Sequence, residues 1–429
     1  MWKELKRASA WLDRRWKLFA LLFLFVLLVS YEGPPPAAME TGVDGIVTDL
    51  RFDFLAWEAR TLWMKFTNWL LQPQRYMEEA DRSALFREYI GLMAQIRRLE
   101  WQIEQVYADP DVEDPFAQSA ALREELEQTR SAAADRQIIA ESIVEEQIGT
   151  VLSEEGLGIL GRPFPAVGIH FTPLPYLLVI SPRERIEPIY QAELAHGLEV
   201  DQQVAIEGTI DETFDVSSLV TGIGGLSAWP AMILEVPVAD WVLEVSAHEW
   251  THHYLELRPL GWAYSESSTA RTINETTASI MGTEVGWSVL ARYYPDLLPP
   301  PPEEDGAEDN ESPSSEPPAF DFRAEMRETR VEVDRLLAEG MVEEAEAYME
   351  ARREVFWENG YRSIRKLNQA YFAFHGSYAD GPGASGEDPV GPMVLALRER
   401  SGSLRDFLSR VAFITTMEEL EAALSGTPE

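Results

Sequence analysis

PVADWVLEVSAHEWTHHYLELR, residues 237–258, is the stretch on which the reading of this chain turns. Its apolar residues recur at helical spacing, and Pro259 and Gly261 stop the helix. Inside it, His248-Glu249-Trp250-Thr251-His252-His253 sets two histidines four residues apart, so both imidazoles project from one helix face, one turn apart. Two ring nitrogens at that spacing can reach one tetrahedral zinc. Glu249, next to the first histidine, can turn its carboxylate to a zinc-activated water and serve as general base. The chain has six histidines and three of them fall in these six residues, which makes a chance placement a poor account. His253 lies about 100° around the helix from His252 and is not expected to ligate.

The pattern is the H-E-x-x-H signature of zinc metallopeptidases. A catalytic zinc needs a third protein ligand and an open fourth position. Position 255 is Leu and no histidine follows His253 until His375, which excludes a metzincin-type third histidine. A carboxylate on a second helix is the other solution. Asn274-Glu275-Thr276-Thr277-Ala278 lies on a helix read from Ala270 to Tyr293, after a turn over Pro259–Ser268 that would bring Glu275 back over the first helix. Here the sequence resembles the gluzincin group of metallopeptidases, whose second helix carries an N-E-x-x-A motif with Glu as third ligand. The resemblance implies His248, His252 and Glu275 as zinc ligands and Glu249 as base. Many gluzincins place an Asp four residues after the ligand Glu to support a histidine; here that position is Ser279, and Glu284 is a candidate substitute. Glu284 is also the alternative third ligand.

Further along, KLNQAYFAFHGSYADG (366–381) resembles the C-terminal part of bacterial predicted aminopeptidases. Tyr378, Tyr371 and His375 in this stretch are candidate donors to the oxyanion of an attacked carbonyl; the alternative is that they are wall and core. Upstream, GIGGLSAWPAMILE (222–235) resembles the edge strand on which zincins lay an extended peptide. Gly224 and Gly225 would let the two backbones approach, as substrate-binding positions; a sheet strand entered through a Gly turn reads equally well. An aminopeptidase also needs a carboxylate for the substrate's α-amino group, for which Glu235, Glu244 and Glu266 are available. His170 and His196 stand alone and are read as structural.

At the N-terminus, six basic and two acidic residues in positions 1–17 precede Leu18 to Val29, LFALLFLFVLLV, twelve unbroken apolar residues. Trp16 and Tyr31 bracket the run as interfacial aromatics. We read residues 1–31 as a basic cytoplasmic head and an uncleaved signal-anchor helix, with the rest extracytoplasmic. A secreted chain after signal cleavage is the rival, because the run has the length of a signal-peptide core. Residues 32–42 read as a linker. Residues 43–154 read as a helical arm: Leu85, Tyr89, Leu92, Ile96, Leu99, Ile103 and Val106 form a heptad seam, and DPDVEDP (109–115) breaks it into an antiparallel hairpin. The arm is either a partner-binding or self-associating stalk, or a helical layer packed on the next domain. Within 155–294, VGIHF (167–171), YLLVI (176–180), VAIEGTI (204–210) and PAMILEV (230–236) read as strands. Residues 295–319 form a Pro-rich acidic loop without a basic residue, disordered by composition, and helices of the C-terminal part (320–429) complete the catalytic domain.

The 429 residues carry 36 Lys+Arg against 73 Asp+Glu, a net charge of −37, which repels phosphate backbones and excludes nucleic acid as a natural partner. Zero cysteine removes thiolate zinc sites, thiol catalysis and disulfides. The fold class expected is α+β, predominantly helical: an N-terminal membrane helix, a helical hairpin, and a zincin-like catalytic domain with a small sheet and an active-site helix. The function expected is a membrane-anchored zinc metallopeptidase acting on peptide or protein substrates, with an aminopeptidase as one form. The alternative is a non-catalytic membrane-tethered scaffold with a vestigial zinc site.

Overall fold

The computed structural model describes residues 38–108, 112–298, 320–376, 386 and 388–426. The basic head, the apolar run and Tyr378 lie outside the described residues. Among the described residues no helix is long and apolar enough to cross a membrane. Helix α1 (Ala38–Val47) begins inside the stretch read as a linker, and the Thr48 hydroxyl closes its end on the Asp44 carbonyl.

Helix α2 (Phe54–Leu71) starts where Asp53 accepts from the Ala56 N–H at 3.0 Å. The expected hairpin is α3 (Glu79–Ala108) and α4 (Ala120–Glu154). Its side-chain ties run antiparallel: Glu79 to Gln147, Glu88 to Arg136, Gln95 to Glu125 and Glu100 to Arg130. Far from projecting as an arm, it is a layer of the main core. Phe86, Tyr89 and Met93 of α3 and Ala140, Ile143 and Ile148 of α4 pack in one cluster with Phe171, Trp250 and Val289. Burial of that seam, at roughly 25 cal/mol per Å² of apolar surface, favours a fixed layer over a free stalk.

After a short hairpin, Gly158–Ile159 paired antiparallel with Arg162–Pro163, two three-stranded sheets come next in the chain. In one, β1 (Ile169–Phe171) pairs parallel with β6 (Ala231–Ile233), and β6 pairs antiparallel with β5 (Gly225–Leu226), which forms an edge. In the other, β2 (Tyr176–Pro182) is the centre between β3 (Tyr190–Leu194) and β4 (Val216–Gly222), both antiparallel. VAIEGTI is not a strand; it lies within α5 (Val200–Phe214). A Glu199–Gln202 capping box starts this helix, and Gln203, Ile206, Glu207 and Ile210 form its buried face, so capping and helical spacing override β-branched propensity.

Helices α6 (Ala239–Leu255) and α7 (Ser268–Tyr293) form the centre of the molecule. They cross closely because α7 offers glycine there: a Cβ on Gly282 would stand 2.9 Å from the Glu244 carbonyl oxygen and 3.1 Å from His248 Cβ, and one on Gly286 2.9 Å from Glu244 Cα. Helices α8 (Phe322–Ala338) and α9 (Val342–Glu358) share their own apolar cluster. Short α10 (Gln369–His375) packs on the second sheet through Ala370, against Leu177, Val179 and Leu219. Three helices, α11 (Val390–Glu399), α12 (Leu404–Val411) and α13 (Met417–Ser425), end the described chain. The fold is α+β and predominantly helical, with small sheets.

Candidate metal centre

Close packing of α6 on α7 brings His248, His252 and Glu275 together. The Nε2 atoms of the two histidines lie 3.0 Å apart, and Glu275 Oε2 lies 3.5 Å from each. Donors about 2.05 Å from a tetrahedral zinc stand about 3.3 Å from one another, so the triangle has the size for a single ion. Glu275 Oε2 is buried with no hydrogen-bond partner, while Oε1 accepts from the Tyr264 hydroxyl. A buried carboxylate oxygen without a donor is costly, and a cation at the centre of the triangle would satisfy it. The residues present therefore fit a zinc-sized cation.

The electrostatics agree. Burial would lower the pKa of His252, but the facing Glu275 carboxylate outweighs it and raises the value to about 9. Glu275 is also penalised by burial, and the two histidines overcome this and hold it well below the usual carboxylate range. The site attracts positive charge. Burial pushes the Glu249 carboxyl up, against the pull of His248 and His252, which suits a base that must hold a proton near neutral pH.

Asn274 Oδ1 lies 2.8 Å from His252 Nδ1, accepting its proton and leaving the Nε2 lone pair toward Glu275. This is the histidine support that the sequence left to Glu284. Glu284 instead makes a two-point ion pair with Arg398, at 2.7 Å for both oxygens, and is neither ligand nor support. His253 turns away: its Nε2 donates to the Ala228 carbonyl at 2.6 Å, and burial lowers its pKa to about 4. His170 is structural, bonded to Glu141 at 2.8 Å.

A cleft of about 340 Å³ opens over the triad, and Glu249, Gly225, Glu193, Glu256, Tyr264 and Arg271 line it. Gly225 lies on the edge strand β5, with no further strand on its outer side among the described residues. A Cβ there would collide with Glu249 Oε1 and stand 2.8 Å from Glu249 Cδ, so any larger residue would push the Glu249 carboxylate aside. Gly224 faces elsewhere, its Cβ position 3.0 Å from Trp241 Cζ2. Of the oxyanion candidates, Tyr371 and His375 pack on each other with rings tilted and centroids 4.2 Å apart; neither lines the cleft, though their neighbour Phe374 does. Burial brings His375 down to about 4 and raises Tyr371 to about 12.

Sequence reasoning missed Tyr264 and Arg271. Arg271, one turn before Glu275, donates from Nε to the Tyr264 carbonyl at 3.4 Å, and its Nη1 is buried without a partner. The available signal was spacing, since Arg271 and Glu275 are four apart on one helix face. The carboxylates named for an α-amino group are elsewhere: Glu244 accepts from Thr283 at 2.9 Å, and neither Glu235 nor Glu266 lines the cleft. Glu193 and Glu256 are the carboxylates that line it beside Glu249 and Glu275. Comparison with models of known families, with curated proteins and with solved structures finds no match.

Proposed function

We propose that the protein is a membrane-anchored, extracytoplasmic zinc metallopeptidase of gluzincin type that hydrolyses peptide bonds. The observation that carries this is the triangle of His248, His252 and Glu275 beside a buried Glu249, under an edge strand. Zinc held by the three side chains would lower the pKa of a coordinated water toward neutrality and polarise a peptide carbonyl. An extended peptide pairs with the outer edge of β5 and passes Glu249 where Gly225 gives it room. Glu249 takes a proton from the attacking water and delivers it to the departing amine as the C–N bond breaks. Arg271, whose side chain lines the cleft, is the donor we assign to the developing oxyanion. Tyr264 holds Glu275 with one oxygen turned to the histidines. Glu193 and Glu256 supply carboxylates for a free α-amino group, which favours cleavage from the N-terminus.

Metal analysis of the purified full-length chain tests the site and should find about one zinc per chain. A native protein that retains none ends the proposal. Glu249→Gln should keep the zinc and lower cleavage of a mixed peptide library by about a hundredfold or more. Cleavage that survives removes Glu249 from the mechanism, and the products distinguish exo- from endo-cleavage.

A further inference from the structure

Helix α2 is inside out. Its inward face is polar: Thr61 and Asn68 are buried, and Lys65 reaches Glu141 at 2.6 Å and Glu145 at 2.8 Å. Asn68 donates to the Ser142 hydroxyl at 2.6 Å. The outward face carries Leu55, Leu62, Trp63, Phe66 and Leu70, spaced as one helical stripe, with Trp63 67% and Leu70 60% exposed. Turning the helix to hide this stripe would strand Glu141, whose side chain is fully buried, so the inversion is locked.

The apolar surface continues beyond the helix. Leu62 and Phe66 form one bank of a groove of about 1260 Å³, and the turn Gly161–Pro163 with Trp229 forms the other. At the tip of that turn Leu160 is 99% exposed, flanked by exposed Ile159 and Phe164. A folded protein rarely leaves so large an apolar patch to water.

We propose that α2 and the 159–164 tip form a second membrane-contacting surface that lies in the interface of an anionic bilayer. Two observations select lipid as the occupant. The same chain carries the apolar run 18–29 behind a basic head, a short distance upstream of α2. Lys65 is turned inward to Glu141 and Glu145, so along this stretch exposed Arg51, Arg60 and Arg75 stand against Asp53 and Glu58, a small basic surplus in a chain of net charge −37 that lets the stripe approach an anionic leaflet. Aromatic and leucine side chains on such a helix sit among the headgroups and upper acyl chains. The inference extends the membrane-anchored reading of residues 1–31, from which it is tested separately.

The chain has no cysteine, so single cysteines can be placed at will. Trp63→Cys, Leu70→Cys, Leu160→Cys, Leu22→Cys and Glu418→Cys, each in the full-length protein, are labelled with an environment-sensitive fluorophore. The proteins are reconstituted into phosphatidylcholine–phosphatidylglycerol vesicles with or without brominated acyl chains. Labels at 63, 70 and 160 should lose about half their emission to brominated lipid, as expected about 5–10 Å into the interface, while the exposed 418 position stays unquenched. Quenching at 63, 70 and 160 no greater than at 418 overturns the proposal. A blue-shifted emission there without bromine quenching overturns it too, since a second copy or another segment then covers the stripe. The label at 22 reports the anchor alone, so its failure to quench rejects that reading without touching the result for α2.

Discussion

Asn274 Oδ1 accepts from His252 Nδ1 at 2.8 Å and so decides which imidazole nitrogen is free for a cation. Asn274→Ala should weaken zinc binding about 10- to 100-fold in competition with a chelator, and Asn274→Asp should recover most of it. Unchanged affinity in the alanine variant would show that the ring is oriented by other means. A second residue-scale expectation concerns Glu141. Burial disfavours its charge, yet Lys65 and His170 outweigh burial and bring its pKa from 4.5 to about 2. The folded carboxyl thus holds its proton less tightly than the unfolded one. Its contribution is complete above pH 4.5 and is lost as the pH falls through about 2. The size is on the order of 3 kcal/mol. Glu141→Gln, which leaves Lys65 with only part of its partnership, should lower Tm at pH 7. Its Tm should also fall less steeply than the parent's on acidification; parallel profiles across that window would contradict the assignment.

At the scale of elements, the α6–α7 crossing sets the triad. Gly282→Ala forces a methyl to within 2.9 Å of the Glu244 carbonyl and 3.1 Å of His248 Cβ, so the helices must part. The cost should be about 1–3 kcal/mol, with zinc affinity falling alongside Tm. An alanine variant with parental Tm and metal content would mean that the crossing has slack. The helices that carry the triad were legible because His248, His252 and Glu275 lie on regular periodic segments, the first of them stopped at Pro259. The strands were less so. Tyr190–Leu194 alternates apolar and polar residues but is only five residues long, whereas Val216–Gly222 is buried over its first five residues and has no solvent face to set an alternation. VAIEGTI went the other way, its β-branched side chains masking a capped helix.

For the molecule as a whole, the hairpin was visible as two helices, with a stalk and a packed layer both left open, since a heptad seam does not say which surface it will meet. Nor could composition reveal that α2 buries its polar side; Lys65 beside Glu141 and Glu145, with Thr61 and Asn68 buried, shows it. The cleft wall of Glu193, Arg271 and Phe374 comes from three separated parts of the chain and leaves no local pattern. The metal centre differs: His252 and Asn274 are 22 residues apart and Tyr264 and Glu275 only 11. Closing so short a loop costs little chain entropy, whereas the cleft waits for Phe374 to return from the C-terminal half. This difference orders the assembly. A nascent chain can bring the three side chains together on an α6–α7 hairpin before the cleft exists, so that assembly of the triad precedes, and does not require, a finished groove.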